Sequence, residues 1–125
     1  MRPIETNEAP EAVGAYSQGV VQDQAIYTSG QIGLDPNTGQ LIEESFEQEV
    51  RQALENLLSV VRAGGGSAES IVKTTVFLSD LSYYETLNAV YHSYFSDVLP
   101  ARSVVEVASL PKNARVEIEA VAGFP

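Results

Sequence analysis

The sequence has 125 residues, 44% of them hydrophobic, with 17 acidic and 7 basic side chains for a net charge of −10. That length suits one domain, 1–125, and the composition is too apolar for a disordered chain. No apolar run approaches the ~20 residues of a membrane span. The opening Met1-Arg2-Pro3-Ile4-Glu5 lacks the apolar stretch of a secretory signal, so a cytoplasmic globular protein is expected. Cysteine is absent, which excludes disulfides, thiolate zinc sites and cysteine nucleophiles. Nucleic-acid binders cluster Lys and Arg against phosphates, whereas Arg2, Arg51, Arg62, Lys73, Arg102, Lys112 and Arg115 are scattered here. The field of the whole chain would repel RNA or DNA, although a local basic groove could still survive.

In chain order, Gln24-Ala25-Ile26-Tyr27-Thr28-Ser29 is β-rich and ends at Gly30. Asp35-Pro36-Asn37-Thr38-Gly39 follows, a run of turn formers that predicts an exposed loop. Phe46, Val50, Ala53, Leu54, Leu57, Leu58 and Val61 then fall at helical spacing and define one apolar face. Ser45 and Gln48 resemble a capping box at the helix start, and Gly64-Gly65-Gly66 supplies the left-handed geometry that ends it. Ile71 to Leu78 reads as a strand with Val72, Val76 and Leu78 on one face and Ile71 and Phe77 on the other, a pattern for a strand covered on both sides. A second helix is predicted from about Ser82, with Glu85 completing a capping box. Tyr84, Leu87, Tyr91, Tyr94 and Phe95 form its apolar stripe, and it ends before Pro100. Ala101 to Val107 and Arg115 to Val121 read as strands joined by a turn around Pro111-Lys112-Asn113. This order implies an α+β layer with two helices on one sheet face. Something must bury the other face, and a second copy of the chain is the simplest candidate.

Most familiar catalytic patterns fail. His92 is the only histidine, so no paired-histidine zinc site can form, and its place off the apolar stripe marks it as solvated. Gly64-Gly65-Gly66-Ser67 follows a helix and lacks the Lys-Ser/Thr of a phosphate loop. Asp35 to Gly39 resembles a calcium loop, but the glycine comes one position early and Phe46 stands where the bidentate Glu belongs.

What remains is polar chemistry on strands. Pro100-Ala101-Arg102-Ser103 places an arginine on a rigidified strand entry, where its planar fork matches a carboxylate. Position alone favours a structural salt bridge for Arg102 over a ligand. In Arg115-Val116-Glu117-Ile118-Glu119-Ala120, period-two geometry sends Glu117 and Glu119 to one face. Such a pair could position a water or exchange a proton, although a polar outer face is the default reading unless a cleft also holds Arg102.

Together these segments resemble the Rid (YjgF, L-PSP-type) family from about Ala9 to Ala122. The likeness rests on Ala9-Pro10, Gly14-Ala15-Tyr16-Ser17-Gln18, Ser29-Gly30-Gln31-Ile32-Gly33-Leu34-Asp35-Pro36 with Thr38-Gly39, and Val72 to Leu78. It continues in Asn88-Ala89-Val90-Tyr91, Pro100-Ala101-Arg102-Ser103, Leu110-Pro111-Lys112 and Glu117-Ile118-Glu119-Ala120. The number, order and spacing of these motifs reverse the preference for a salt bridge at Arg102. The resemblance implies a chorismate-mutase-like fold, a mixed sheet of about six strands with two helices on one face, assembled as a homotrimer with sites between subunits. It implies hydrolysis of 2-aminoacrylate, 2-iminopropanoate and 2-iminobutanoate to 2-keto acids and ammonia, without metal or organic cofactor. Carried onto this chain, Arg102 holds the substrate carboxylate and the Val104 backbone amide adds a hydrogen bond. Glu117 holds the attacking water, while Tyr16, Ser29, Gly30 and Asn88 line the pocket. Two positions depart from the family pattern. Ala15 replaces a usual proline, which implies a less rigid Tyr16 loop. Val104 replaces a common cysteine, so thiol-dependent chemistry does not transfer.

Three other readings share the framework. They are a pathway deaminase of a larger imino acid of the aminomuconate type, a trimer that binds keto acids or acts as a chaperone without turnover, and a ribonuclease or translation inhibitor. Charge argues against the last.

Overall fold

The strongest periodicity in the chain becomes its central helix, α1 (Phe46–Ala63). In this computed structural model, which describes residues 1–95 and 97–125, the Ser45 hydroxyl accepts from the Gln48 N–H at the helix start. Glu47 and Glu49 in the first turn and Arg62 in the last complement the helix dipole. The seven residues of the predicted apolar face are all buried, and Glu49, Asn56 and Val60 join them. At the other end the left-handed residue is Gly65 (φ 104°), whereas Gly64 stays right-handed at φ −81°.

Six strands form one sheet: β1 (Arg2–Ile4), β2 (Gly19–Gln22), β3 (Ala25–Thr28), β4 (Ile71–Leu78), β5 (Ala101–Glu106) and β6 (Val116–Ala122). Their order is β1-β2-β3-β6-β4-β5. Only β4 and β5 pair in parallel, and α2 (Tyr84–Tyr94) makes the crossover between them. Val76 and Leu78 of β4 and Val116, Ile118, Ala120 and Ala122 of β6 pack with both helices in one core. This is the expected α+β architecture, a mixed sheet with two helices on one face. No helix of the described residues is long and apolar enough to cross a membrane.

Three local expectations need correction. Val72 does not share the buried face of Val76 and Leu78 but is 56% exposed. A bulge between Ile71 and Lys73 breaks the alternation and turns Ile71 to the core instead. Within one chain β4 is therefore covered on one side, while Lys73, Thr75 and Phe77 on the other are only half-buried. The Ser82–Glu85 capping box does not start the second helix. Asp80 accepts from the Ser82 N–H at 2.8 Å and caps a 3₁₀ turn, Leu81–Tyr83, from which α2 continues. Along the predicted stripe, Leu87, Tyr91 and Phe95 are buried and Val90 joins them, but Tyr84 remains 41% exposed. The Asp35–Gly39 turn forms, closed by Gly39 N–H donating to the Asp35 carbonyl at 2.8 Å, and His92 is solvent-exposed.

Two buried polar residues of α1 tie the rest of the chain down. Glu49 accepts from the Arg115 backbone N–H at 2.7 Å and from its Nε at 2.6 Å. The Arg115 guanidinium lies over the Phe46 and Tyr83 rings, which stack at 4.2 Å. Asn56 donates to the carbonyls of Ile32 (3.0 Å) and Leu34 (2.8 Å), its own oxygen held by Gln52. Gly33 fits against this helix because a Cβ there would stand 2.7 Å from the Glu49 carbonyl oxygen. One helix thus fixes both the Ile32–Leu34 segment and the entry to β6. Glu49→Ala strands the partners of a buried carboxylate and is expected to lower unfolding free energy by about 3 kcal/mol in urea titration. A wild-type midpoint in that variant would show that the pair contributes nothing.

Candidate functional site

A site-like concavity lies on the sheet face away from the helices. It is a cavity of about 570 Å³ whose lining includes Pro10, Val13, Tyr16, Ser29, Gly30, Ile32, Leu34, Pro111, Lys112 and Glu117. Its walls are pinned by backbone pairing. The Ser29 N–H donates to the Gln18 carbonyl (2.9 Å) and its hydroxyl to the Ser17 carbonyl (2.6 Å). The buried Gln18 amide binds both the N–H and carbonyl of Thr6 and the carbonyl of Pro10, fixing the N-terminal wall. Gln31 exchanges backbone hydrogen bonds with Ile118 at 2.8 and 2.9 Å, which lays Gly30 against the neighbouring Glu117. A Cβ on Gly30 would stand 2.7 Å from the Glu117 carboxyl carbon, so only glycine leaves room for that side chain. Tyr16 is 53% exposed at the rim.

Strand alternation places Glu117 and Glu119 on the same half-buried face while Val116, Ile118 and Ala120 enter the core. Burial pushes the Glu117 carboxyl above its ordinary value of 4.5, and the neighbouring Glu119 carboxylate pushes the same way. A carboxylate held in this manner is a better proton acceptor than a solvated one.

Arg102 lies elsewhere. It pairs in register with Thr74, whose side chain is buried beneath the helices, so Arg102 also faces the helix side. Its Nη2 donates to Asn88 Oδ1 at 2.8 Å and to the Tyr84 hydroxyl at 3.2 Å. The guanidinium carbon sits 4.8 Å from the Tyr91 ring centre and 5.6 Å from that of Tyr84. The salt bridge that position alone favoured is not formed: the ion pairs of the described residues are Arg51–Glu47 and Arg115–Glu49. In a chain of net charge −10, the partners of this guanidinium among the described residues are all neutral.

Val104 stands on the same strand, packed against the core. Its backbone amide can be oriented from the ladder. Val107 N–H donates to the Leu78 carbonyl of β4. Because successive amides alternate in direction, the Val104 N–H points the other way, off the open edge of the sheet where β5 is the last strand.

The seven residues singled out in the sequence therefore fall into two groups. Tyr16, Ser29, Gly30 and Glu117 meet at the cavity, and Arg102, Asn88 and Val104 meet at the β5 edge. Register separates the groups. Glu117 aligns with Phe77 on β4, three residues from the Thr74 that aligns with Arg102, and β4 lies between the two strands. That is roughly 10 Å across and 10 Å along the sheet, on opposite faces. One chain does not bring Arg102 and Glu117 to a single small molecule. Among the described residues no three His, Cys, Asp or Glu side chains converge as metal ligands would.

Sequence reasoning missed the contribution of Tyr84 and Tyr91, which it assigned to the apolar stripe. The available signal was spacing: Tyr84, Asn88 and Tyr91 lie at i, i+4 and i+7, one face of a helix. It also missed the apolar wall of Val13, Ile32, Leu34 and Pro111, scattered along the chain and collected only by the fold.

The family model described as Endoribonuclease L-PSP matches residues 6–124. The chain belongs to that family. This is the L-PSP-type, or Rid, relationship to which the motifs point. Among curated relatives, the 2-iminobutanoate/2-iminopropanoate deaminase of Rattus norvegicus is 50% identical over 119 residues, covering 95% of this chain and 87% of the rat protein. The protein of the same name from Salmonella typhimurium is 48% identical over 124 residues, covering 97% of this chain and 96% of its own. The crystal structure of E. coli TdcF with bound serine superposes on this Rid-family chain with a TM-score of 0.96 at 42% identity, covering 100% of both chains.

Proposed function

We propose that this Rid-family chain is an imine deaminase, hydrolysing 2-aminoacrylate, 2-iminopropanoate and 2-iminobutanoate to 2-keto acids and ammonia. The observation that carries the reading is the Arg102 guanidinium, held on a strand edge by neutral groups with no counter-charge among the described residues, so that its charge is available to a substrate carboxylate. The names of its relatives at 48–50% identity support the same substrate class.

The site is assembled between subunits of a homotrimer, the Arg102 edge of one chain closing over the Glu117 cavity of the next. Its support is the separation of the two groups within one chain and the half-exposed sheet face that carries Glu117. In the joined site Arg102 fixes the substrate carboxylate and the outward Val104 N–H adds a donor. Tyr16, Ser29 and Gly30 shape the pocket, with Asn88 beside the clamp.

The imine enters protonated at nitrogen, 2-aminoacrylate first tautomerising to it. Glu117 holds a water against the imine carbon. As the water oxygen bonds to that carbon, its proton passes to the Glu117 carboxylate, giving a tetrahedral amino alcohol. Glu117 returns the water's proton to the amine and then takes the hydroxyl proton as the C–N bond breaks. Ammonia leaves, the keto C=O forms, and the remaining proton departs with the ammonia as ammonium. One water is consumed and no electrons are exchanged with an external partner. Imine hydrolysis is intrinsically fast, so orientation and exclusion of bulk water supply most of the acceleration.

The test is keto-acid and ammonia release from imines generated in situ by an amino-acid oxidase. Release faster than the spontaneous rate, in proportion to added protein, supports the reading. Release at the spontaneous rate, with keto acids still bound, would establish a binding protein instead.

A further inference from the structure

We propose that Tyr84 and Tyr91, flanking Asn88 on α2, act with it as positioning residues that keep the Arg102 charge unneutralised. The proposal rests on the reading of Arg102 as the carboxylate clamp and adds what makes the clamp work. A lone arginine beside an acidic protein surface tends to find a carboxylate, and once paired it is a poor anion receptor. Here its hydrogen-bond and ring partners among the described residues are neutral acceptors and ring faces. Tyr91 is the floor: it is buried, its hydroxyl shares a 2.7 Å hydrogen bond with Thr74, and its ring faces the guanidinium carbon at 4.8 Å. Asn88 holds one side at 2.8 Å, and the Tyr84 hydroxyl holds the same nitrogen at 3.2 Å.

These contacts immobilise a flexible side chain without supplying a counter-charge. They also orient Asn88. A guanidinium only donates, so Asn88 must present its oxygen to Arg102, which turns its NH₂ outward as a further donor beside the clamp. The cradle thus offers an incoming carboxylate an intact positive charge and a second set of N–H groups.

The discriminating variant is Asn88→Asp, which is nearly isosteric and puts a carboxylate where the amide oxygen touches Arg102. If the cradle works through neutrality, KM for the imino acid rises about tenfold or more while kcat changes little. The melting temperature should hold or rise, because an ion pair is gained. If Asn88 merely braces the fold, the same variant keeps its KM, and that result overturns the proposal. Tyr84→Phe, at an exposed position, removes one hydrogen bond and keeps the ring; KM should rise about threefold without loss of melting temperature. An unchanged KM there removes Tyr84 from the cradle. Arg102→Ala, measured alongside, separates the two levels of inference. Full activity in Arg102→Ala overturns the clamp itself, whereas loss there with wild-type KM in Asn88→Asp and Tyr84→Phe overturns only the cradle.

Discussion

Arg102→Ala should return keto-acid production to the spontaneous rate, a fall of about 10²-fold or more in kcat/KM. The size follows from what is removed. A bidentate guanidinium–carboxylate contact supplies charge-assisted hydrogen bonds and also sets the orientation of the imine carbon toward water. The protein itself should remain folded. Arg102 contacts Asn88, Tyr84 and Tyr91, none of which carries a charge left stranded by its loss. The expected pattern is therefore catalytic collapse with a thermal midpoint shifted by only a few degrees. Collapse accompanied by unfolding would mean that Arg102 supports the fold rather than the reaction.

Glu117→Gln should lower kcat by about 10²-fold with a much smaller change in KM, because water activation and proton return are lost while carboxylate binding is retained. The variant also changes the pH profile. Burial and Glu119 raise the Glu117 carboxyl above 4.5, so kcat/KM of the wild type should climb with pH through a midpoint above that value. In Glu117→Gln that acid limb should disappear. The stability effect has the opposite sign. The folded chain binds this proton more tightly than the unfolded chain does, so stability falls as pH rises between the ordinary and raised values. The cost is absent below that window. An acid limb that persists in Glu117→Gln would assign the titration to another group.

Much of the fold was legible because its elements have strong periodicity. The α1 face from Phe46 to Val61, the alternation of β6 and the terminating glycines each follow from local chemistry. The errors arise where tertiary contacts outweigh local pattern. Glu49 and Asn56 look like solvent-facing helix residues, yet both are fully buried because Arg115 and the Ile32–Leu34 carbonyls, remote in sequence, satisfy them. A bulge beyond Ile71 reverses the side to which Val72 points, and no single residue type announces it. At α2, Asp80 displaced Ser82 as the cap because the chain enters through a 3₁₀ turn.

The candidate residues of the site were legible mainly through motif resemblance. Their division into two groups was not, since it depends on strand order: β5 lies beyond β4, and β6 comes between β3 and β4. Only the register shows that Arg102 and Glu117 occupy opposite faces.

Subunit mixing shows whether one chain's Arg102 works with another chain's Glu117. Arg102→Ala and Glu117→Gln chains, each nearly inactive alone, are unfolded together in equal amounts and reassembled. If the site spans two chains of a trimer, every mixed trimer regains one intact site of three. Random assembly then restores about a quarter of wild-type activity. If both residues serve a site within one chain, the mixture stays as inactive as its components, and that result would contradict the shared site.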